Sequence, residues 1–200
     1  SVVIPCYNEE KNLELGMLEK VADYLEKQKY VWEVIVVDDG STDNSTGLVN
    51  KFTEKHLGFS LMKNLHQGKA ATVISGMLAA RGRFVLFSDL DQSTPIKEIE
   101  KILPWFEKGY DLVIGSRNSE RKGAPLTRRL IAVGFMILRT LILGLSGITD
   151  TQCGFKAFKK EIAGELFGKL KLYGQKKLIS EAMVTAGFDI ELLFLAKKKG

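Results

Sequence analysis

The chain is poor in cysteine and histidine, with Cys6, Cys153, His56 and His66 the full set in 200 residues. Two thiols make no disulfide framework, so a reducing compartment is the default and both read as buried small hydrophobes. No Cys/His cluster has the spacing of a zinc site. The Gly-x-x-x-x-Gly-Lys-[Ser/Thr] spacing of a P-loop is absent. Pro5-Cys6-Tyr7-Asn8 follows the first apolar run where a dinucleotide fold would place its glycine fingerprint, which weighs against a dinucleotide oxidoreductase. There is no internal repeat, no low-complexity segment and no initiator Met. Residue 1 already lies in a strand-like run and the chain stops after a helix-like one. A chain cropped at both ends is expected, with targeting or transmembrane segments outside it left open.

What is present is an ordinary globular composition, 45% hydrophobic and 26% charged, enough for one domain with a real core. The net charge of +5 is unevenly placed: Arg117, Arg121, Lys122, Arg128, Arg129 and Arg139 face one acid, Glu120, in that stretch. Such a segment points to phosphates, on an anionic membrane or a phosphorylated substrate, with a solvated loop as the bland alternative. Its one aromatic is Phe135, too little stacking surface to favour nucleic acid.

Strand-like and helix-like runs alternate. Val2–Ile4, Trp32–Val37, Phe59–Met62, Arg83–Ser88 and Leu112–Ile114 read as strands. Between them come a long amphipathic helix carrying Leu13, Met17, Val21 and Leu25, then helices near 43–55 and 70–80. A further helix is expected to start at Thr94-Pro95, with Thr as N-cap. This alternation predicts an α/β fold with a doubly wound, mostly parallel sheet.

Each expected strand ends in polar residues or glycine: Pro5-Cys6-Tyr7-Asn8-Glu9, Asp38-Asp39-Gly40-Ser41, Asn64 to Lys69, Asp89-Leu90-Asp91, and Gly115-Ser116-Arg117. Open α/β sheets bind ligands along that edge. Asp89 and Asp91, as residues i and i+2 of an extended segment, would point the same way and converge on one hard cation. A turn or cap is the commoner role of a lone strand-end Asp. Asp38 or Asp39 would accept from a base imide or a ribose hydroxyl, or simply cap the next helix. Gly68-Lys69 would offer a phosphate free backbone N–H groups, a helix dipole and an ammonium. His66 reads as surface or core filler.

Val3-Ile4-Pro5-Cys6-Tyr7-Asn8-Glu9-Glu10, Val37 to Asp43, Gly68-Lys69 and Asp89-Leu90-Asp91 together resemble the family 2 glycosyltransferases of GT-A fold. Gly115-Ser116-Arg117, Asp150 to Lys156 and Phe188 to Leu193 are similar to the polyprenyl-phosphate group within that family, most of all to members that glucosylate dolichyl phosphate. The resemblance implies a single catalytic domain, with a Rossmann-like nucleotide-sugar half over 1–115 and an acceptor half over 116–200. It places Pro5, Tyr7, Asn8, Glu9, Asp38 and Asp39 around the nucleoside, and Gly68 and Lys69 near the nucleotide. Asp89 and Asp91 would hold Mg²⁺ or Mn²⁺ on the diphosphate, and Arg117, Arg128 and Arg129 would meet the acceptor phosphate. Mannosyltransferase relatives carry a metal-binding glutamine two residues after the second aspartate. Here Ser93 stands there and the candidate third ligand, Gln92, sits one residue earlier, which tilts the expectation away from a mannosyl donor.

The implied reaction is inverting transfer of glucose from UDP-glucose to dolichyl or polyprenyl phosphate. GDP-mannose-dependent transfer, nucleotidyl transfer and a non-catalytic nucleotide-sugar or lipid-binding module are the alternatives. Asp89, Asp91, Arg117 and Asp189 are the residues expected to serve turnover, Asp189 having helix capping as its bland reading. Leu130 to Ile148 is nearly all apolar but carries Arg139. Arg128 and Arg139 lie about 20° apart on a helical projection. A helix near 127–147 lying at the membrane interface is therefore expected, with a core helix or a true span as alternatives. The catalytic domain would face the cytosol, at the endoplasmic reticulum of a eukaryote or the inner membrane of a prokaryote.

Overall fold

The computed structural model describes residues 1–116, 144–145, 147–148, 150–170 and 187–199. Arg117, Arg128, Arg129 and nearly all of the 127–147 segment lie outside the described residues.

Among the described residues six strands form one sheet: β1 (Val2–Cys6), β2 (Val34–Asp38), β3 (Phe59–Lys63), β4 (Phe84–Ser88), β5 (Leu112–Ile114) and β6 (Phe155–Lys159). Their spatial order is β3-β2-β1-β4-β6-β5. β1, β2, β3 and β4 pair in parallel, and β6 runs antiparallel between β4 and β5. The doubly wound, mostly parallel α/β sheet expected from the sequence is present. β2 is buried along its whole length, as a strand covered on both faces must be. β3 is an edge strand and alternates accordingly, with Phe59 buried and Ser60 exposed.

Helices cover both faces. On one lie α1 (Glu10–Glu14), α2 (Met17–Leu25), α3 (Ser45–Thr53) and α5 (Ile99–Glu107), whose Leu13, Leu18, Val21, Leu25, Ile99, Ile102 and Phe106 pack on Val2, Ile4, Val34, Val36 and Leu86. On the other lie α4 (Lys69–Ala79), α6 (Lys160–Gly168) and α7 (Phe188–Lys199), packed on Val3, Ile35, Val37, Val85, Phe87 and Phe158.

Two local expectations are corrected. The long first helix is two short ones, because Gly16 takes a left-handed φ of 73° between them. The inward stripe survives the break, so periodicity alone does not reveal it. The helix after β4 is not capped by Thr94. Pro95 is extended, a 3₁₀ turn spans Ile96–Glu98, and the Gln92 side chain accepts from the Ile96 N–H at 3.0 Å.

Candidate active site

The chain runs β1-β2-β3 to one side of β1 and then places β4 on its other side. The crevice at the carboxyl ends of β1 and β4 is therefore the topological switch point, where such sheets bind ligands. The loops after β1 and β2 are laced together there. Asn8 Oδ1 accepts from the Thr42 N–H at 2.8 Å, and the Asn8 N–H donates to Ser41 Oγ at 3.0 Å. The Glu9 N–H donates to Ser45 Oγ at 2.8 Å, and Glu9 Oε2 accepts from Asn12 at 2.6 Å. Asn8 holds a φ of 52°, a conformation asparagine tolerates better than most residues. Asn8 and Glu9 thus build the loop frame with the side chains expected to touch a nucleoside. Pro5 lies in β1 opposite Val37.

The two acids after β2 have different tasks. Asp38 is 3% exposed and its Oδ2 accepts from Thr46 Oγ1 at 3.1 Å and the Ser41 N–H at 3.3 Å. Its Oδ1 is buried without a hydrogen-bond partner, a costly condition for a carboxylate oxygen. Asp39 is 2% exposed and both its oxygens are occupied. Oδ1 accepts from the Gln67 N–H at 3.0 Å, and Oδ2 accepts from the Gly68 N–H at 2.8 Å and lies 2.9 Å from His66 Nδ1. This corrects two expectations. Asp39 serves the Asn64–Lys69 loop, with neither oxygen left unpartnered. The Gln67 and Gly68 N–H groups ahead of α4 are taken by Asp39 and are not free for a phosphate. His66, read from sequence as filler, stacks on Tyr7 with ring centroids 4.2 Å apart and 16° between planes. The missed signal was its place in a loop that already carried Gly68 and Lys69. Beneath the site, burial first and then the charges of Asp38 and Glu9 push the Cys6 thiol up to about 12, so it stays neutral.

β4 ends at Ser88, and Asp89 to Gln92 form a tight turn closed by the Gln92 N–H to the Asp89 carbonyl at 3.2 Å. The extended-strand argument for convergence of Asp89 and Asp91 therefore does not apply. They stand instead at the first and third positions of that turn. Lys69 Nζ reaches Asp89 Oδ1 at 2.6 Å. On its other side the Asp89 carboxylate lies against Gly154, leaving no room for a Cβ there. The Asp89 N–H also donates to the Gly154 carbonyl at 3.2 Å. Asp91 Oδ1 accepts from the Ser93 N–H at 2.9 Å. Gln92 does not join them: its amide donates to the Asp89 carbonyl at 3.0 Å and accepts from the Ile96 N–H, which removes it from the candidate metal ligands.

The profile of "Glycosyl transferase family 2" matches residues 1–167. The chain belongs to that family. Among its relatives, a dolichyl-phosphate beta-glucosyltransferase of Trichomonas vaginalis is 34% identical over 216 residues, covering 100% of this chain and 62% of the relative. The human dolichyl-phosphate beta-glucosyltransferase is 34% identical over 221 residues, covering 98% and 62%. The chain thus spans less than two thirds of the length of these relatives. Among solved structures, mannosyl-3-phosphoglycerate synthase from Rubrobacter xylanophilus superposes with a TM-score of 0.61 at 20% identity, covering 80% of this chain and 53% of that one. A mannosyltransferase from Pyrobaculum calidifontis in complex with GDP-Man and Mn²⁺ gives 0.56 at 23% identity, covering 82% and 45%. These neighbours share the GT-A fold.

Within this family 2 glycosyltransferase, the donor chemistry of Asp89 and Asp91 fits a hard divalent ion. Two carboxylates with exposed faces are what a Mg²⁺-type ion takes from protein when phosphates supply the rest. Among the described residues no group of three or more His, Cys, Asp or Glu is placed to bind a metal by itself. The glycosyltransferase also carries a buried ion pair that sequence reading missed. Lys156 is fully buried on β6, and its ammonium donates to Asp189 Oδ1 and to the Cys153 carbonyl, each at 2.5 Å. Burial raises the Asp189 carboxyl above its usual range, with Lys156 pulling the other way, and the charges of Lys69 and Asp89 also reach it. Asp189 was expected as a catalytic group or a helix cap. In the structure it lies in the first turn of α7 and pairs with Lys156. Among the described residues no helix is long and apolar enough to cross a membrane.

Proposed function

We propose that the chain catalyses metal-dependent, inverting transfer of glucose from UDP-glucose to dolichyl or polyprenyl phosphate, at the cytosolic face of a membrane. One observation carries the reading. An unpartnered oxygen on Asp38, the Lys69–Asp89 pair and Asp91 share one sheet edge in a chain that aligns along its length with relatives named dolichyl-phosphate beta-glucosyltransferase. Asp38 Oδ1 would accept the imide N–H of the donor base, which ends its unpartnered burial. Tyr7, stacked on His66, presents an exposed ring beside that pocket.

Asp89 and Asp91 would hold Mg²⁺ or Mn²⁺ against the diphosphate, and both the Pyrobaculum neighbour and a glucosyl-3-phosphoglycerate synthase from Mycobacterium tuberculosis are in complex with Mn²⁺. The bound ion would supply charge neutralisation of the departing nucleoside diphosphate. Lys69 stands beside the same carboxylate and adds a positive charge that needs no reorganisation at the moment of bond breaking. The acceptor phosphate, with a second pKa near ~6, is already ionised at neutral pH and needs little from a general base. Arg117, Arg128 and Arg129 would align it, giving attack opposite the leaving group and inversion.

The test is transfer to a short polyprenyl phosphate from labelled UDP-glucose and GDP-mannose, with and without chelator. Lipid-linked glucose and UDP as products, lost on chelation and restored by Mn²⁺, are expected. Transfer only from GDP-mannose, pyrophosphate as a product, or chelator-resistant turnover would each overturn part of the reading.

A further inference from the structure

The fully buried Lys156 has no place in the reaction just described. Removing an ammonium from water is expensive unless its protons are matched. Lys156 matches two of them, on the Cys153 carbonyl and on Asp189, and lies 5.1 Å from the Phe87 ring centroid. Phe87 pairs with Lys156 across the β4–β6 ladder, one residue in from the start of β6, so the lysine stands at the edge of the sheet where β4 ends. There it grips the residue preceding Gly154 on one side and the first turn of α7 on the other. Gly154 in turn forms the wall against which the Asp89 carboxylate rests, and its carbonyl accepts from the Asp89 N–H. The path is short and physical: Lys156 sets Cys153, Cys153 sets Gly154, and Gly154 with Lys69 sets the Asp89 rotamer.

We infer that Lys156 is a positioning residue, which fixes the Asp89 carboxylate for the divalent ion by clamping the Cys153–Gly154 strap to α7, and that Asp189 is its counter-ion with no contact to substrate. The inference rests on the metal reading of Asp89 and Asp91. Outer partners of metal-binding groups typically govern affinity by ~10–100-fold, and that range is the effect expected here.

The experiment compares wild type, Lys156→Met, Asp189→Asn and the double variant Lys156→Met/Asp189→Leu. Mn²⁺ binding is followed by electron paramagnetic resonance in the presence of UDP, beside thermal melting. Lys156→Met leaves Asp189 buried and unpaired, so it lowers the melting temperature. The double variant removes both charges and regains stability. Both variants bind Mn²⁺ ~10–100-fold more weakly, and the Mn²⁺ concentration for half-maximal transfer rises in step while kcat at saturating Mn²⁺ stays within about threefold. A folded double variant with wild-type Mn²⁺ affinity overturns the positioning role. Loss of kcat at saturating Mn²⁺ in an Asp189→Asn variant of wild-type affinity overturns the counter-ion role. Wild-type protein that binds no Mn²⁺ overturns the metal reading itself, and the inference with it.

Discussion

At the scale of single residues, neighbouring acids divide the labour. Asp38 leaves one buried oxygen without a partner and Asp39 leaves none. An Asp38→Asn substitution can retain the Thr46 and Ser41 bonds while replacing the open acceptor by an N–H₂ donor. A lost hydrogen bond to a charged acceptor is worth about 1.5–3 kcal/mol, so UDP should bind roughly 10–100-fold more weakly with little change in melting temperature. Calorimetric titration with UDP measures this, and unchanged affinity removes Asp38 from the base pocket. Gly154 is the second decisive position. A methyl group there meets the tip of a flexible carboxylate, so Asp89 moves and the backbone does not. Gly154→Ala should fold normally and lose about 100-fold in turnover, the scale of a 1 Å misplacement. Normal turnover would show that the close contact with Asp89 has no consequence.

At the scale of elements, the loop between β3 and α4 depends on one carboxylate. Asp39 satisfies the Gln67 and Gly68 N–H groups and pairs with His66. Asp39→Ala leaves those donors stranded and should cost about 3 kcal/mol in urea denaturation. It should also release His66 from Tyr7, detectable as loss of the ring-current shift on the imidazole protons. The same comparison shows what could be read from the chain beforehand. β1, β2 and β4 were legible because burial on both faces writes an unbroken apolar run. β6 was not, since Phe155-Lys156-Ala157-Phe158-Lys159 carries two lysines, one of which is buried by an ion pair to Asp189 on α7, far along the chain. The edge-of-sheet polar residues were legible as a group. Their individual duties were not, because adjacent residues of an extended chain point to opposite sides and the sequence does not say which side holds the ligand. Gln92 was misassigned for a similar reason: its role is set by a left-handed φ of 51° that turns its amide onto Ile96.

At the scale of the whole molecule, acid stability is governed by carboxyls pulled in opposite directions. Burial alone would raise Glu33, but hydrogen bonds from Ser1 and from the Arg81 backbone and guanidinium outweigh it and hold the group at about 2. Between the unfolded value near ~4.3 and that native value, the unfolded chain binds more protons, so Glu33 contributes stability that fades as pH falls toward 2. Asp189 acts with the reverse sign: its raised native value makes its contribution greatest at low pH, and this declines as pH rises past the unfolded value. Glu33→Gln should therefore flatten the fall in stability between pH 5 and about 2, measured by urea unfolding across that range. An unchanged slope would place the acid sensitivity elsewhere. The antiparallel β6 also dictates an order of events. Among the described residues β5 hydrogen-bonds to the sheet through β6 alone, so 112–114 joins the sheet once 155–159 has inserted beside β4. The same insertion delivers Gly154 to Asp89. A ribosome-bound chain emerging from its amino end can assemble β1 to β4 early, yet Asp89 lacks its Gly154 wall until that later strand docks, which ties completion of the proposed site to the last described strand to emerge.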